Sequence, residues 1–367
     1  MTKLIWISMT AALMLLSLTY IFFACRRGLS GFRLSPFRLR LCSLLGTGIL
    51  ASPLLLSGKP GRLWMLVLLH LSACLLLTQL ADFVIRKRFP SAPVWSWLYR
   101  FSVLPVVLTA GMLTYGYFNI NTIVRTEYTV STEKPVPPGG YTVALLSDIH
   151  FGNAATLPLM EQVMDRIRRE QPDLILLGGD IVDENTAKAD MEALFPVLGS
   201  VPAPLGTFYV YGNHDLQRYT SSPTFTEDEL NRTIAKSHIT ILADEAKKLD
   251  DTLLLAGRRD RTMGQMPAGE LLSRARQEDY LLLLDHQPYH FKEKELAGAD
   301  LTLSGHTHAG QIFPAGLFTA GDLNYGKERL GKMTAIVTSG ASGWGFLIRT
   351  ANHSEYVIIR IIPQSHS

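Results

Sequence analysis

Apolar positions follow two different patterns along this chain. Up to residue 120 they form long blocks, Leu4–Ala24, Leu41–Gly58, Leu63–Ile85 and Phe101–Ile120, separated by basic clusters. Blocks of this length match what a helix needs to cross a hydrocarbon core. The pattern predicts four transmembrane helices, the second short and interrupted by Pro53. Beyond Tyr141 the apolar runs shorten to strand length. Thr142–Leu146, Asp173–Leu177, Thr207–Tyr211, Tyr280–Leu284, Leu301–Leu303, Ala335–Val337 and Tyr356–Ile362 are expected to be buried strands. Helices intervene: Leu157, Met160, Val163, Met164 and Ile167 recur at helical spacing. Thr226 followed by Glu229 is a capping-box signature that opens a helix toward Ile234. Between the two patterns, Pro135, Pro137, Pro138, Gly139 and Gly140 mark a linker or edge segment. The expected organisation is a transmembrane region over 1–120, a linker over 121–141 and an α/β domain over 142–363.

The basic residues give an orientation. Arg26, Arg27, Arg33, Arg38 and Arg40 follow the first block, and Arg86, Lys87, Arg88 and Arg100 follow the third. The second loop has only Lys59 and Arg62. Basic loops stay cytoplasmic, which places the N-terminus and everything after residue 120 on the other side. Within the third block, Asp82 is expected to pair with Arg86, and His70 to bond a neighbouring helix.

Composition narrows the chemistry. The 367 residues carry a net charge of +3, too small to call for nucleic acid as a dedicated partner. The three cysteines, Cys25, Cys42 and Cys74, all lie in the first quarter. The α/β domain therefore has neither a disulfide framework nor thiolate metal ligands.

Five short motifs carry the candidate chemistry. They are Ser147-Asp148-Ile149-His150, Gly179-Asp180-Ile181-Val182-Asp183, Gly212-Asn213-His214-Asp215, Asp285-His286-Gln287-Pro288 and Gly305-His306-Thr307-His308. Each follows a predicted strand, and strand C-terminal ends are where α/β sheets bind ligands. Asp-x-His or Gly-Asp alone is commonplace, and a lone His286 is as often a core histidine as a ligand. The ordered set of carboxylates, imidazoles and one carboxamide is specific. Such donors suit zinc, manganese or iron, and a metal pair roughly 3.5–4 Å apart activates water and clamps a phosphate ester.

From Val143 to Ile361 the chain resembles the calcineurin-like metallophosphoesterases, in particular their bacterial membrane-associated branch, for which Gly305-His306-Thr307-His308-Ala309-Gly310-Gln311-Ile312 is typical. The resemblance implies an αββα sandwich and two divalent metal ions, Mn, Zn or Fe. It implies Asp148, His150 and His308 as ligands of one ion and Asn213, His286 and His306 as ligands of the other, with Asp180 bridging both. His214 would stabilise or protonate the leaving oxygen, and Asp183 would hold its imidazole. Asp215 would assist locally. Asp285 departs from the family pattern; it is either an acceptor for a histidine N–H or a solvated strand-end carboxylate. The function implied is a multi-pass phosphoesterase of a bacterial inner or cell membrane, its catalytic domain extracytoplasmic.

The rival is a non-catalytic or sensory membrane protein that keeps the domain as a binding module. The membrane segment favours lipid-linked or cell-envelope phosphoesters, with a soluble nucleotide diester as the other choice. Tyr219, Phe225, Phe313, Phe318 and Tyr325 are candidate lining or loop-packing residues. Arg349 either touches substrate or closes the sheet.

Overall fold

The computed structural model describes residues 2–56, 58–317 and 321–364. It divides into two units, residues 1–115 and 116–367. In the first unit, helices Thr2–Leu29, Pro36–Ala51 and Lys59–Arg88 are followed by a short helix, Pro93–Arg100. A further helix, Val103–Ile120, begins there and ends in the second unit. Four segments, Ser8–Leu29, Pro36–Leu55, Pro60–Arg88 and Val103–Ile120, are long and apolar enough to cross a membrane.

The second helix starts before the apolar block does. Ser35 caps it by accepting the Arg38 N–H at 3.3 Å, and Pro36 stands at its first position, so the helix opens through Arg38 and Arg40. Asp82 pairs with Arg86 as expected, at 2.8 Å, and also accepts the Trp95 indole N–H at 2.9 Å. His70 differs from expectation. Its Nδ1 lies 2.8 Å from the Leu66 carbonyl of its own helix.

The second unit contains twelve strands among the described residues. They are β1 (Ile123–Thr132), β2 (Tyr141–Leu146), β3 (Leu174–Leu177), β4 (Thr207–Tyr209), β5 (Ile239–Ile241), β6 (Glu245–Lys248), β7 (Leu253–Gly257), β8 (Tyr280–Leu284), β9 (Leu301–Ser304), β10 (Gly326–Leu330), β11 (Met333–Val337) and β12 (Ser354–Pro363). They form two six-stranded sheets, ordered β1-β12-β2-β3-β4-β5 and β10-β11-β9-β8-β7-β6. Strands β2, β3 and β4 run parallel in one sheet, as do β7, β8 and β9 in the other.

Alternating side chains explain the layers. Val143, Leu145, Leu174 and Leu176 of the first sheet share one cluster with Leu253, Leu255, Leu282, Leu284 and Leu303 of the second. The other face of the first sheet, with Ala144, Leu146, Ile175 and Leu177, packs on Met160, Val163, Ile167, Met191, Leu194 and Phe195 of two helices, Leu157–Arg169 and Lys188–Leu198. Leu281 and Leu283 of the second sheet pack outward on Leu271 and Phe291. The result is an αββα sandwich whose inner strands are buried on both faces. This is why they appear in the sequence as unbroken apolar runs.

Two expectations change. The segment 121–141 is only partly a linker, because β1 occupies ten residues of it and pairs in parallel with β12 along its whole length. Its outward positions, Arg125, Glu127 and Thr129, are polar because it is an edge strand, and that hid the period. The Pro135–Gly140 stretch is the actual connection. Strands β5, β6, β7 and β10 and the helix Lys188–Leu198 were not anticipated. Strand β6 is exposed throughout and therefore carries no apolar signal.

Candidate metal centre

The five motif loops follow β2, β3, β4, β8 and β9. Parallel pairing within each sheet puts the ends of neighbouring strands at one rim. Two donor groups form there. Asp148, His150 and His308 offer ligand atoms that lie within 4.8 Å of one another, and Asp180, His286 and His306 do the same. His150 Nε2 is 3.2 Å from His308 Nε2, and His308 Nε2 is 3.6 Å from Asp148 Oδ1. Asp180 Oδ2 lies between the groups, 3.1 Å from His286 Nε2 and 3.7 Å from His150 Nε2.

The backbone is strained to make this possible. Asp148, His150, Asp180, His306 and His308 all have positive φ, between 44° and 73°. Non-glycine residues rarely adopt this region, and it concentrates at functional sites. Two glycines allow the loops to converge. A Cβ on Gly212 would stand 2.2 Å from Asp180 Oδ1, and one on Gly305 would stand 2.1 Å from Asp148 Oδ2. Neither position has room for any side chain.

Hydrogen bonds fix each donor. Asp148 accepts the His306 N–H at 2.9 Å and the Ser147 hydroxyl at 2.6 Å. Asp180 Oδ1 accepts the His214 N–H at 2.8 Å, which leaves Oδ2 toward the two groups. His286 Nδ1 donates to the Gly178 carbonyl at 2.8 Å, so Nε2 is the free ligand atom. Asp215 accepts backbone N–H groups of Asp180, Ile181, Val182 and Gly212 and thereby clamps the second and third motif loops together.

Electrostatics favour cations. Burial raises the Asp148 carboxyl, with the Asp180 charge adding to it. Burial also pushes Asp180 upward, but His286 and His150 outweigh this and hold it well below the carboxylate range. Burial and the nearby His286 lower His306 to about 4, and burial and His150 lower His308 well below the histidine range. Neutral imidazoles beside carboxylates are the form that binds a metal. His286 goes the other way: burial lowers it, but Asp180 and Asp148 outweigh this and raise it well above the histidine range, so binding a metal there would release its proton. The donor set fits two divalent ions on a further observation. Asn213 Oδ1 is buried and has no hydrogen-bond partner. Buried polar atoms are rarely left unsatisfied.

Around this centre the expected supporting roles are redistributed. Asp183 does not hold His214. Its Oδ2 lies 3.2 Å from His150 Nδ1 and accepts Asn153 Nδ2, and its Oδ1 accepts the Asn185 N–H at 2.7 Å. The Glu184 carboxylate is the partner of His214, with Oε2 2.8 Å from Nδ1. The two carboxylates are adjacent in sequence and point to different histidines. Burial lowers His214, but Glu184 and Asp180 outweigh it and leave it above its ordinary value.

Asp285 is neither a histidine acceptor nor solvated. It is buried and paired with Lys294 Nζ at 2.7 Å and Arg258 Nη1 at 3.3 Å. Arg349 is fully buried and touches no open space; it donates to the carbonyls of His308, Ser339 and Ser342. Tyr219 and Trp344 flank His214, with ring centroids at 4.9 and 5.0 Å. Phe225 is core, Tyr325 donates to Glu355 at 3.1 Å, and Phe318 lies outside the described residues. Sequence reasoning missed Glu184, Trp344 and the buried Asp260, which accepts Gln287 Nε2 at 2.9 Å. Only Glu184 left a signal, as a second carboxylate beside Asp183.

A family model described as calcineurin-like phosphoesterase matches residues 141–310. An uncharacterized metallophosphoesterase of Aquifex aeolicus is 31% identical over 64% of this chain and 90% of its own length. The chain belongs to the calcineurin-like metallophosphoesterases. A Helicobacter pylori metallophosphoesterase, also uncharacterized, is 31% identical over 61% of this chain, which spans 60% of that relative's length. A Danio rerio transmembrane protein with a metallophosphoesterase domain is 28% identical over 76% of this chain and 67% of its own. The described residues of this metallophosphoesterase thus hold two groups of candidate metal donors, Asp148 with His150 and His308, and Asp180 with His286 and His306.

Proposed function

We propose that this metallophosphoesterase is membrane-anchored and hydrolyses phosphate esters at a dinuclear metal site, with its catalytic unit on the extracytoplasmic side. The observation that carries this is the Asp180 carboxylate between two donor groups, with His214 on its rim held by Glu184. Asp148, His150 and His308 would hold one ion, and Asn213, His286 and His306 the other, with Asp180 shared. Bound there, the pair of ions supplies charge neutralisation at the phosphoryl oxygens and a lowered pKa for the attacking water. The chain supplies the rest. His214 has Nδ1 committed to Glu184, so Nε2 is the position that gives a proton to the leaving oxygen. The Glu184 charge compensates the imidazolium before transfer. Tyr219 and Trp344 both pack against the ring. The intact donor set supports catalysis over a purely binding role. The basic loops after the first and third spans support the orientation.

The test is turnover of bis-p-nitrophenyl phosphate and p-nitrophenyl phosphate by the full chain, with manganese or chelator and beside Asp180→Asn and His214→Ala. Metal-dependent turnover should vanish in Asp180→Asn along with bound metal. His214→Ala should keep its metal and lose roughly 10²–10⁴-fold in kcat. Undiminished turnover in either variant would remove the assignment.

A further inference from the structure

The metal loop is tied to the end of the last apolar helix through Arg349 and its neighbours. Arg349 donates Nη1 to the His308 carbonyl at 2.9 Å, and its own backbone N–H donates to the Gly116 carbonyl at 2.9 Å. Asn119 Nδ2 donates to the Arg349 carbonyl at 3.0 Å and to the Asn352 carbonyl at 2.5 Å. Gly116 to Ile120 is the last turn of the Val103–Ile120 span and belongs to the catalytic unit. Tyr117 and Phe118 on this turn are exposed. Aromatic residues at the end of a span mark the membrane–water boundary.

The loop after the last motif is anchored to the same place. Thr350 N–H donates to the Gln311 carbonyl at 2.9 Å, and the Phe313 N–H donates to Thr350 Oγ1 at 3.1 Å. Gly116 packs so closely on Thr350 that an added Cβ would meet its Cγ2 at 3.0 Å. On this loop Phe313 is 58% exposed and Leu317 73% exposed, within ten residues of His308. Trp344, 47% exposed, lies against His214, and its backbone N–H donates to Gln311 Oε1 of the same loop at 3.0 Å. Phe313 and Leu317 share one loop, Tyr117 and Phe118 share the helical turn that this loop is joined to through Arg349 and Thr350, and large exposed apolar side chains placed at one such junction suit a covering partner. The chain's continuity with the span names that partner as the bilayer itself.

We propose that Phe313 and Leu317, with Tyr117 and Phe118, form a lip that sits in the headgroup layer, and that the site takes the phosphoester of a bilayer lipid headgroup. The substrate class rests on the phosphoesterase reading; the lip does not. A substrate from the same leaflet would reach His214 along Trp344 without leaving the membrane surface.

The full chain is reconstituted in phosphatidylcholine nanodiscs doped with phosphatidic acid and phosphatidylglycerol. An environment-sensitive dansyl amino acid is placed at position 313, and its emission and quenching by spin-labelled lipid are read. Lipid consumption is followed by phosphorus NMR, and bis-p-nitrophenyl phosphate serves as the soluble substrate. The expected result is blue-shifted, lipid-quenched emission and consumption of at least one of the two doped lipids. In Phe313→Asp with Leu317→Asp, lipid turnover should fall by at least about tenfold, because each buried apolar side chain is worth about that factor in partitioning. Soluble turnover should stay unchanged in that variant. Aqueous, unquenched emission overturns the lip. An embedded probe with soluble turnover but neither lipid consumed overturns the lipid substrate. Absence of soluble turnover in metal-loaded protein removes the phosphoesterase reading instead, and the fluorophore still decides the lip.

Discussion

Adjacent carboxylates with separate tasks give the sharpest prediction. Glu184→Gln keeps the side-chain volume and removes the charge that faces His214 Nδ1 at 2.8 Å. Both groups are largely shielded from water, with side-chain exposures of 11% and 15%, so screening does not erase the interaction. A hydrogen bond to a charged group is worth about 1.5–3 kcal/mol. If that is expressed where His214 gives up its proton, kcat falls by about ten- to 150-fold. Bound metal should not change, because Glu184 touches no candidate ligand other than through His214. Asp183→Asn should behave in the opposite way. It removes the charge that lies 3.2 Å from His150 Nδ1, and losing such a support typically costs 10–100-fold in metal affinity. Its kcat at saturating metal should stay near that of the parent. The assay is steady-state kinetics on bis-p-nitrophenyl phosphate over a manganese titration, with metal content measured on the same samples. Unchanged kcat in Glu184→Gln, or a kcat loss in Asp183→Asn that excess metal does not restore, would refute the division of labour.

Three further outcomes can be checked. Gly212→Ala forces a Cβ to within 2.2 Å of Asp180 Oδ1, so the shared carboxylate must move; calorimetric metal titration should show both sites weakened, and two unaltered sites would contradict the geometry. Asp285→Asn leaves Lys294 and Arg258 buried without their shared anion, and removing one partner of such a set costs about 3–5 kcal/mol, read as a drop in urea midpoint. Glu229 caps the helix Glu227–Lys236 and accepts Lys188 Nζ at 2.6 Å, which lowers its carboxyl to about 2. A lowered folded-state value means that its stabilisation is complete above the unfolded value of about 4.3 and is lost as pH falls toward 2. The melting-temperature gap between the parent and Glu229→Gln should therefore close over that window, and a gap that persists at pH 2 would count against the capping box.

How much was legible in advance depended on whether the signal was local. The four apolar blocks, the buried strands and the capping box are written in runs of neighbouring residues, so hydropathy and spacing sufficed. The candidate ligands were legible for a related reason. Each motif follows an apolar strand and three of the five open on a glycine; Gly212 and Gly305 are there because the carboxylates of Asp180 and Asp148 occupy the space a side chain would need. Edge strand β1 was legible only as a linker or edge segment because its outward face is polar, and exposed β6 escaped because it buries nothing.

The sequence alone thus determined the four apolar blocks, the inner buried strands and the residue types of the candidate donors. Only the tertiary structure decided which partner each donor takes. Asp183 and Glu184 are chemically alike and adjacent, and nothing local separates them. Their opposite directions come from the turn after β3, which aims one at His150 and the other at His214. Asp285 and Arg349 were likewise ambiguous as residue types. Their roles were set by Lys294 and Arg258 in one case, and by the carbonyls of His308, Ser339 and Ser342 in the other. A hydrogen bond depends on distance and direction to within a few tenths of an ångström, and for residues far apart in the chain those are properties of the packed sandwich.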